Sequence, residues 1–127
     1  MKNKTKLHHF AYNIKPNTLE TFLKIFKLLS YREWNKRWCM IEQKPLKIDI
    51  QIIETEDKKI TTEERIMTHI AFLSDSPKQN IEQIEKFASK NNLRFTKWWW
   101  NDKEFWFDFP DIFNNFVVEI MHTSVVE

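Results

Sequence analysis

Residues 68–76 read THIAFLSDS and residues 7–15 read LHHFAYNIK, and the likeness of these two runs decides how the chain is organised. Each sets a histidine, His69 or His9, at the head of a short alternating pattern. Side chains in a strand point to opposite faces in turn. Phe10, Tyr12 and Ile14 would therefore meet a covering layer, while His9, Ala11 and Asn13 face the other way. Ile70 and Phe72 stand in the same way opposite His69, Ala71 and Leu73.

Working outward, helix signals follow both runs. Lys15-Pro16 breaks the first strand, and Asn17 with Glu20 has the form of a capping box, which predicts a helix from about Thr18 to Leu29. Its apolar stripe is Leu19, Phe22, Leu23, Phe26 and Leu29. In the second half Ser76 would cap, Pro77 takes the first helical position, Gln79 completes the box, and Ile81, Ile84, Phe87 and Ala88 form the stripe. Strand-like runs follow near 31–35, 37–43 and 46–54, and again near 93–100, 104–109 and 116–122. The order is βαβββ twice. The predicted fold is α+β, with modules at 7–54 and 66–123 forming a half-open mixed-sheet cleft in one structural domain. Residues 1–6 read as a flexible tail, and 55–65 (TEDKKITTEER) as a solvated linker.

Composition narrows the function classes. The chain has 127 residues, 42% of them hydrophobic and 30% charged, ordinary values for a soluble globule. No apolar run is long enough to span a bilayer, and a formal charge of +2 gives no argument for nucleic acid. A single cysteine, Cys39, excludes an internal disulfide and fits a reducing cytoplasm. Glycine is absent, where average usage of roughly 7% would supply about nine. That excludes Gly-rich phosphate loops. Turns must use Asn, Asp, Ser and Pro, with the doublets Asn91–Asn92 and Asn114–Asn115 as stand-ins for glycine.

Each half also carries a polar residue inside an apolar strand: Gln51 in DIQIIET (49–55) and Glu119 in VVEIMHT (117–123). Their apolar neighbours would pack under a helix, which leaves Gln51, Glu119, His9 and His69 on the opposite sheet faces. Two imidazoles and two oxygens, with positions left open, suit a divalent transition metal such as Ni, Co, Mn, Fe or Zn. A closed zinc site would call for thiolates, and only Cys39 exists. The plainer reading is four structural or solvent-facing residues, and spacing alone leaves both readings open.

The run HFAYNIKPNTLETFLKIFKLLSYREW (9–34) resembles the opening of a vicinal oxygen chelate (glyoxalase/bleomycin-resistance) module, with Leu29-Ser30-Tyr31 where that family has Leu-Gly-Phe. THIAF resembles the start of the family's second module, and FWFDFPDIFNNFVVEI (105–120) its closing signature. The resemblance covers about residues 7–122. It implies that His9, Gln51, His69 and Glu119 hold a divalent metal, as in the glyoxalase I and epimerase branches, with Glu119 as the catalytic base. The closing turn departs from the family's Asp-Pro-Asp-Gly, reading Phe109-Pro110-Asp111-Ile112, and no Arg follows Glu119 to suit the phosphonate-binding branch.

His8 could exchange roles with His9, but parity puts it on the Phe10–Tyr12 face; His122 points away from Glu119 for the same reason. Cys39 reads as a buried inert thiol. Trp98, Trp99, Trp100 and Trp106 read either as core and interface packing or as an aromatic wall of the substrate cleft. Two functions follow. One is a metal-dependent lyase or isomerase of a small carbonyl compound. The other is a non-catalytic protein that sequesters an aromatic ligand. Exposed aromatics and open sheet edges suggest a homodimer in either case.

Overall fold

A computed structural model of the protein describes residues 9–28, 32–33, 38–41, 49–56, 60–66 and 68–125. The elements run β1 (His9–Ile14), α1 (Leu19–Phe26), β2 (Arg32–Glu33), β3 (Trp38–Ile41), β4 (Asp49–Glu54), α2 (Thr62–Arg65), β5 (His69–Ser74), α3 (Pro77–Lys90), β6 (Thr96–Asn101), β7 (Glu104–Asp108) and β8 (Val117–His122). The tail 1–6, His8 and Leu29 lie outside the described residues. Each half forms a four-stranded sheet, ordered β1-β4-β3-β2 and β5-β8-β7-β6. The first and last strands of each half pair in parallel, the others antiparallel. This is the α+β arrangement of two βαβββ modules expected from the repeat.

The helices meet the sheets through the stripes read from sequence, but their ends differ. α3 buries Pro77, Ile81, Ile84 and Ala88, with Phe87 packed at the margin of the core. Its N-cap is Ser76, whose side chain makes no cap hydrogen bond; Ser74 Oγ takes the Ser76 N–H at 3.0 Å. Asn17 does not cap α1 either. It turns the chain at φ 62°, which Asn tolerates better than other side-chain-bearing residues. Glu54 from β4 supplies the cap, its Oε2 accepting from Leu19 N at 2.9 Å. An eight-residue helix is about 12 Å long, shorter than the roughly 20 Å of a six-residue strand. α1 therefore covers Ile14 fully and leaves Phe10, expected beneath it, 52% exposed.

One apolar core runs through both halves, from Phe22, Ile25, Phe26 and Ile52 to Ile70, Ile84, Phe107, Phe113 and Ile120. Phe26 of α1 lies 5.9 Å from Phe72 of β5, ring centre to ring centre. The loop before β8 completes the join. Phe113 bridges Ile14, and Lys15 N donates to Ile112 O at 2.8 Å. Asn114, expected to replace a turn glycine, is instead fully buried, its amide donating to Thr55 Oγ1 at 2.9 Å and to Glu56 O. The positive-φ turn of the Asn91–Asn92 doublet is taken by Asn92 at 53°.

Residues 60–65 of the expected linker are not simply solvated. Thr61 caps α2 in a reciprocal box with Glu64. Arg65, 3% exposed, makes a buried ion pair with Asp108. Among the described residues, no helix is long and apolar enough to cross a membrane.

Candidate metal centre

Strand register places the candidate residues at equivalent positions of the two sheets. His9 pairs with Asp49 and Ala11 with Gln51 in the first; His69 pairs with Val117 and Ala71 with Glu119 in the second. Gln51 and Glu119 therefore each lie one step of the same face beyond a histidine, on the adjacent strand. The face of the second sheet that carries His69 also carries Trp106, the direct cross-strand partner of Glu119, and Trp98, the partner of Trp106.

His69 and Glu119 come together. His69 Nε2 stands 3.7 Å from Glu119 Oε1, too far for a hydrogen bond. His69 Nδ1 is 3.0 Å from Ile66 O. A carbonyl only accepts, so that contact puts the imidazole proton on Nδ1 and leaves the Nε2 lone pair on the Glu119 side. Metal–donor bonds of about 2.0–2.2 Å would span the Nε2–Oε1 gap at an open angle. The imidazole edge also meets Trp106, centroids 4.8 Å apart and planes 73° apart.

Glu119 is 5% exposed. Burial pushes its carboxyl above the ordinary range; the nearby His69 opposes this, and Glu104 adds to it by like charge. Its ring neighbour Trp106 is 1% exposed, and the Trp106 Nε1–H has no acceptor among the described residues. Trp98 stacks on Trp106 at 6.0 Å and Trp100 leans on it at 4.7 Å. Trp99 pairs with Phe105 on the opposite, α3-facing side, where it is 62% exposed. Trp98 and Trp106 thus share the His69 face; Trp100, at an irregularity of β6, touches Trp106 and also lines with Trp99 a pocket beside the start of α3.

Gln51 is half-buried and makes no hydrogen bond with His69 or Glu119. The side chain of His9 lies outside the described residues. Among the described residues no three His, Cys, Asp or Glu side chains surround one point. The donor set that fits a metal is therefore the His69–Glu119 pair, with Gln51 and His9 placed by register alone. Both members of the pair have suitable chemistry: an imidazole whose Nδ1 faces the Ile66 carbonyl and whose Nε2 makes no hydrogen bond among the described residues, and a buried carboxyl lacking a hydrogen-bond donor among them. Two features escaped the sequence reading: Arg65, which closes the polar run 55–65, and the Ile66 carbonyl, a backbone group with no side-chain signal.

No protein-family model matches the sequence, and no curated protein matches it. Solved structures do. A candidate glyoxalase from Bacillus halodurans aligns over 94% of this chain and 96% of its own, with TM-score 0.60 and 15% identity. The fosfomycin resistance protein FosX of Mesorhizobium loti aligns over 98% and 97%, with TM-score 0.59 and 17% identity. This is the vicinal oxygen chelate fold. FosX of Listeria monocytogenes, solved with Mn(II) and sulfate, has the same fold at TM-score 0.55 and 16% identity, over 95% of this chain and 91% of its own. Within the fold, the paired parallel strands β1/β4 and β5/β8 are the ones that carry the four candidate residues.

Proposed function

We propose that this chain is a vicinal oxygen chelate protein acting as a metal-dependent lyase or isomerase on a small carbonyl substrate with neighbouring oxygens, in the manner of a glyoxalase. The observation that carries the reading is the His69–Glu119 pair, with its imidazole turned by Ile66 so that Nε2 is free. His69, Glu119, Gln51 and His9 would hold the cation, of the Ni, Co, Mn, Fe or Zn kind. Such an ion supplies Lewis acidity, polarising a carbonyl and stabilising enolate-like charge.

The chain's own residues would do the rest. Glu119 takes the proton from the carbon beside the carbonyl, and the raised affinity of its buried carboxyl for protons suits a base that must also return it. The unpartnered Trp106 Nε1–H donates to a substrate oxygen. Trp98 and Trp100 wall the site and favour a planar or apolar substituent. Elemental analysis of protein purified without chelator, with His69→Ala alongside, tests the metal. Solvent deuterium entering the α position of a panel of α-hydroxycarbonyl compounds tests the reaction. A metal-free wild type, or equal metal in both proteins, would sink the enzyme reading.

A second reading, sequestration of an aromatic ligand, is favoured by Trp100, which stays 61% exposed beside Trp106. It expects saturable tryptophan quenching by planar ligands, and a flat response across a broad panel counts against it. The exposed Phe10, Leu73 and Trp99 support a homodimer under either reading, which sedimentation would check.

A further inference from the structure

Arg65 has five N–H donors, and each finds an acceptor. Nε donates to Thr61 O at 3.3 Å, Nη1 to Asp108 Oδ1 at 2.9 Å and to Phe113 O at 3.0 Å, and Nη2 to Thr62 Oγ1 at 3.1 Å and to Asp108 Oδ2. Thr62 Oγ1 in turn donates to Asp108 Oδ2 at 2.6 Å. The guanidinium therefore ties three separate pieces together: the first turn of α2, the end of β7 and the loop before β8. Arg65 is 3% exposed and Asp108 fully buried, so the pair has lost most of its hydration. Removing one partner would strand the other, at a cost well above that of a surface pair.

Immediately after this clamp comes the carbonyl that orients His69. Ile66 N donates to Thr62 O at 3.1 Å, Thr68 N to Arg65 O at 2.9 Å, and Val117 N to Thr68 O at 3.3 Å. Ile66 is thus held by the α2 turn, and Thr68 by that turn and by the β5–β8 ladder. The clamp also spans the same end of the second sheet. Asp108, paired with Thr96, stands two residues beyond Trp106 on β7, and Val117, paired with His69, stands two residues before Glu119 on β8.

We infer that Arg65, with Asp108 and Thr62, is a positioning residue: it fixes the Ile66 carbonyl, which fixes the tautomer and direction of the His69 imidazole. Its value for metal binding rests on the metal reading above, whereas its effect on the imidazole does not. Lysine would not substitute, because one ammonium cannot supply the planar fork that reaches Asp108 with both nitrogens while serving Thr61, Thr62 and Phe113.

The test uses metal-free protein at pH 8. Long-range proton–nitrogen NMR correlations report which ring nitrogen of His69 carries the proton. The wild type should show the Nδ1–H form. Arg65→Lys and the milder Thr62→Val should shift it toward the Nε2–H form or a mixture. Thr62→Val keeps the experiment decisive if Arg65→Lys does not fold. Manganese affinity measured on the same samples should then fall by about 10–100-fold, the usual scale for loss of an outer support of a ligand. A folded variant whose His69 keeps the Nδ1–H form overturns the positioning role, whatever its affinity. Altered tautomers in the variants with no manganese binding by the wild type would sustain the clamp and overturn the metal reading.

Discussion

Gln51 and Glu119 occupy equivalent places in the two sheets, yet the neutral residue is half-buried and the acid is 5% exposed. Solvation alone would arrange them the other way, since a charged group loses more on leaving water than an amide does. The difference comes from the residue across the next strand. Met40 stands beside Gln51, and Trp106 stands beside Glu119 under the rings of Trp98 and Trp100. β8 is buried from Val117 to Ile120 on both faces, whereas β4 buries only Ile52 among its described positions. The second half has therefore placed a carboxylate where it is costly to ionise. Costs of that kind collect where a perturbed carboxyl has work to do.

The comparison can be broken most forcefully at the two cross-strand neighbours. Trp106→Ala removes the ring that carries Trp98, Trp100 and His69, and should cost about 3–5 kcal/mol in urea unfolding. Met40→Ala should cost about 2 kcal/mol. If Met40 proves the costlier, the asymmetry between the cleft faces is wrong. On the helix-facing side the halves should instead behave alike. Ile52 and Ile120 are both fully buried at equivalent register, so Ile52→Val and Ile120→Val should each cost about 1 kcal/mol.

A smaller effect comes from Glu119 itself. Burial keeps a proton on Glu119 longer in the folded chain than in the unfolded one, so the folded chain binds the extra proton. Its contribution to stability is complete below the ordinary carboxylate range and is lost as pH rises through the raised value. At pH 8, in metal-free protein, Glu119→Gln should stabilise by roughly 0.5–1 kcal/mol, and thermal melts at pH 8 and pH 4 should show the gain only at the higher pH. Gln51→Glu should destabilise by less, because its position is more open. A larger loss at Gln51 than the gain at Glu119 would reverse the ordering of the two sites.

Much of this was legible in the residues. Alternation in LHHFAYNIK and THIAFLSDS, together with the stripe of α3, sufficed for the element order, whereas the sequence reading kept all four tryptophans on one wall and only the pairing with β7 sets Trp99 apart. Other features depend on groups distant in sequence and have no local pattern. Glu54 caps a helix that begins at Leu19, which made Asn17 look like the cap. Arg65 sits in a run of charged and polar residues, and only Asp108, far along the chain, makes it an interior group. The Glu119 environment was hidden for the same reason, because it is made by β7 and β6 rather than by neighbours in the chain.

Cobalt(II) titrated into metal-free protein at pH 8, followed by visible absorption, tests the central claim most directly. The account predicts saturation at a single equivalent in the wild type, binding weakened at least about tenfold in Glu119→Gln, and no saturable signal in His69→Ala. An unsaturable wild-type response, or the same curve from His69→Ala, would contradict it.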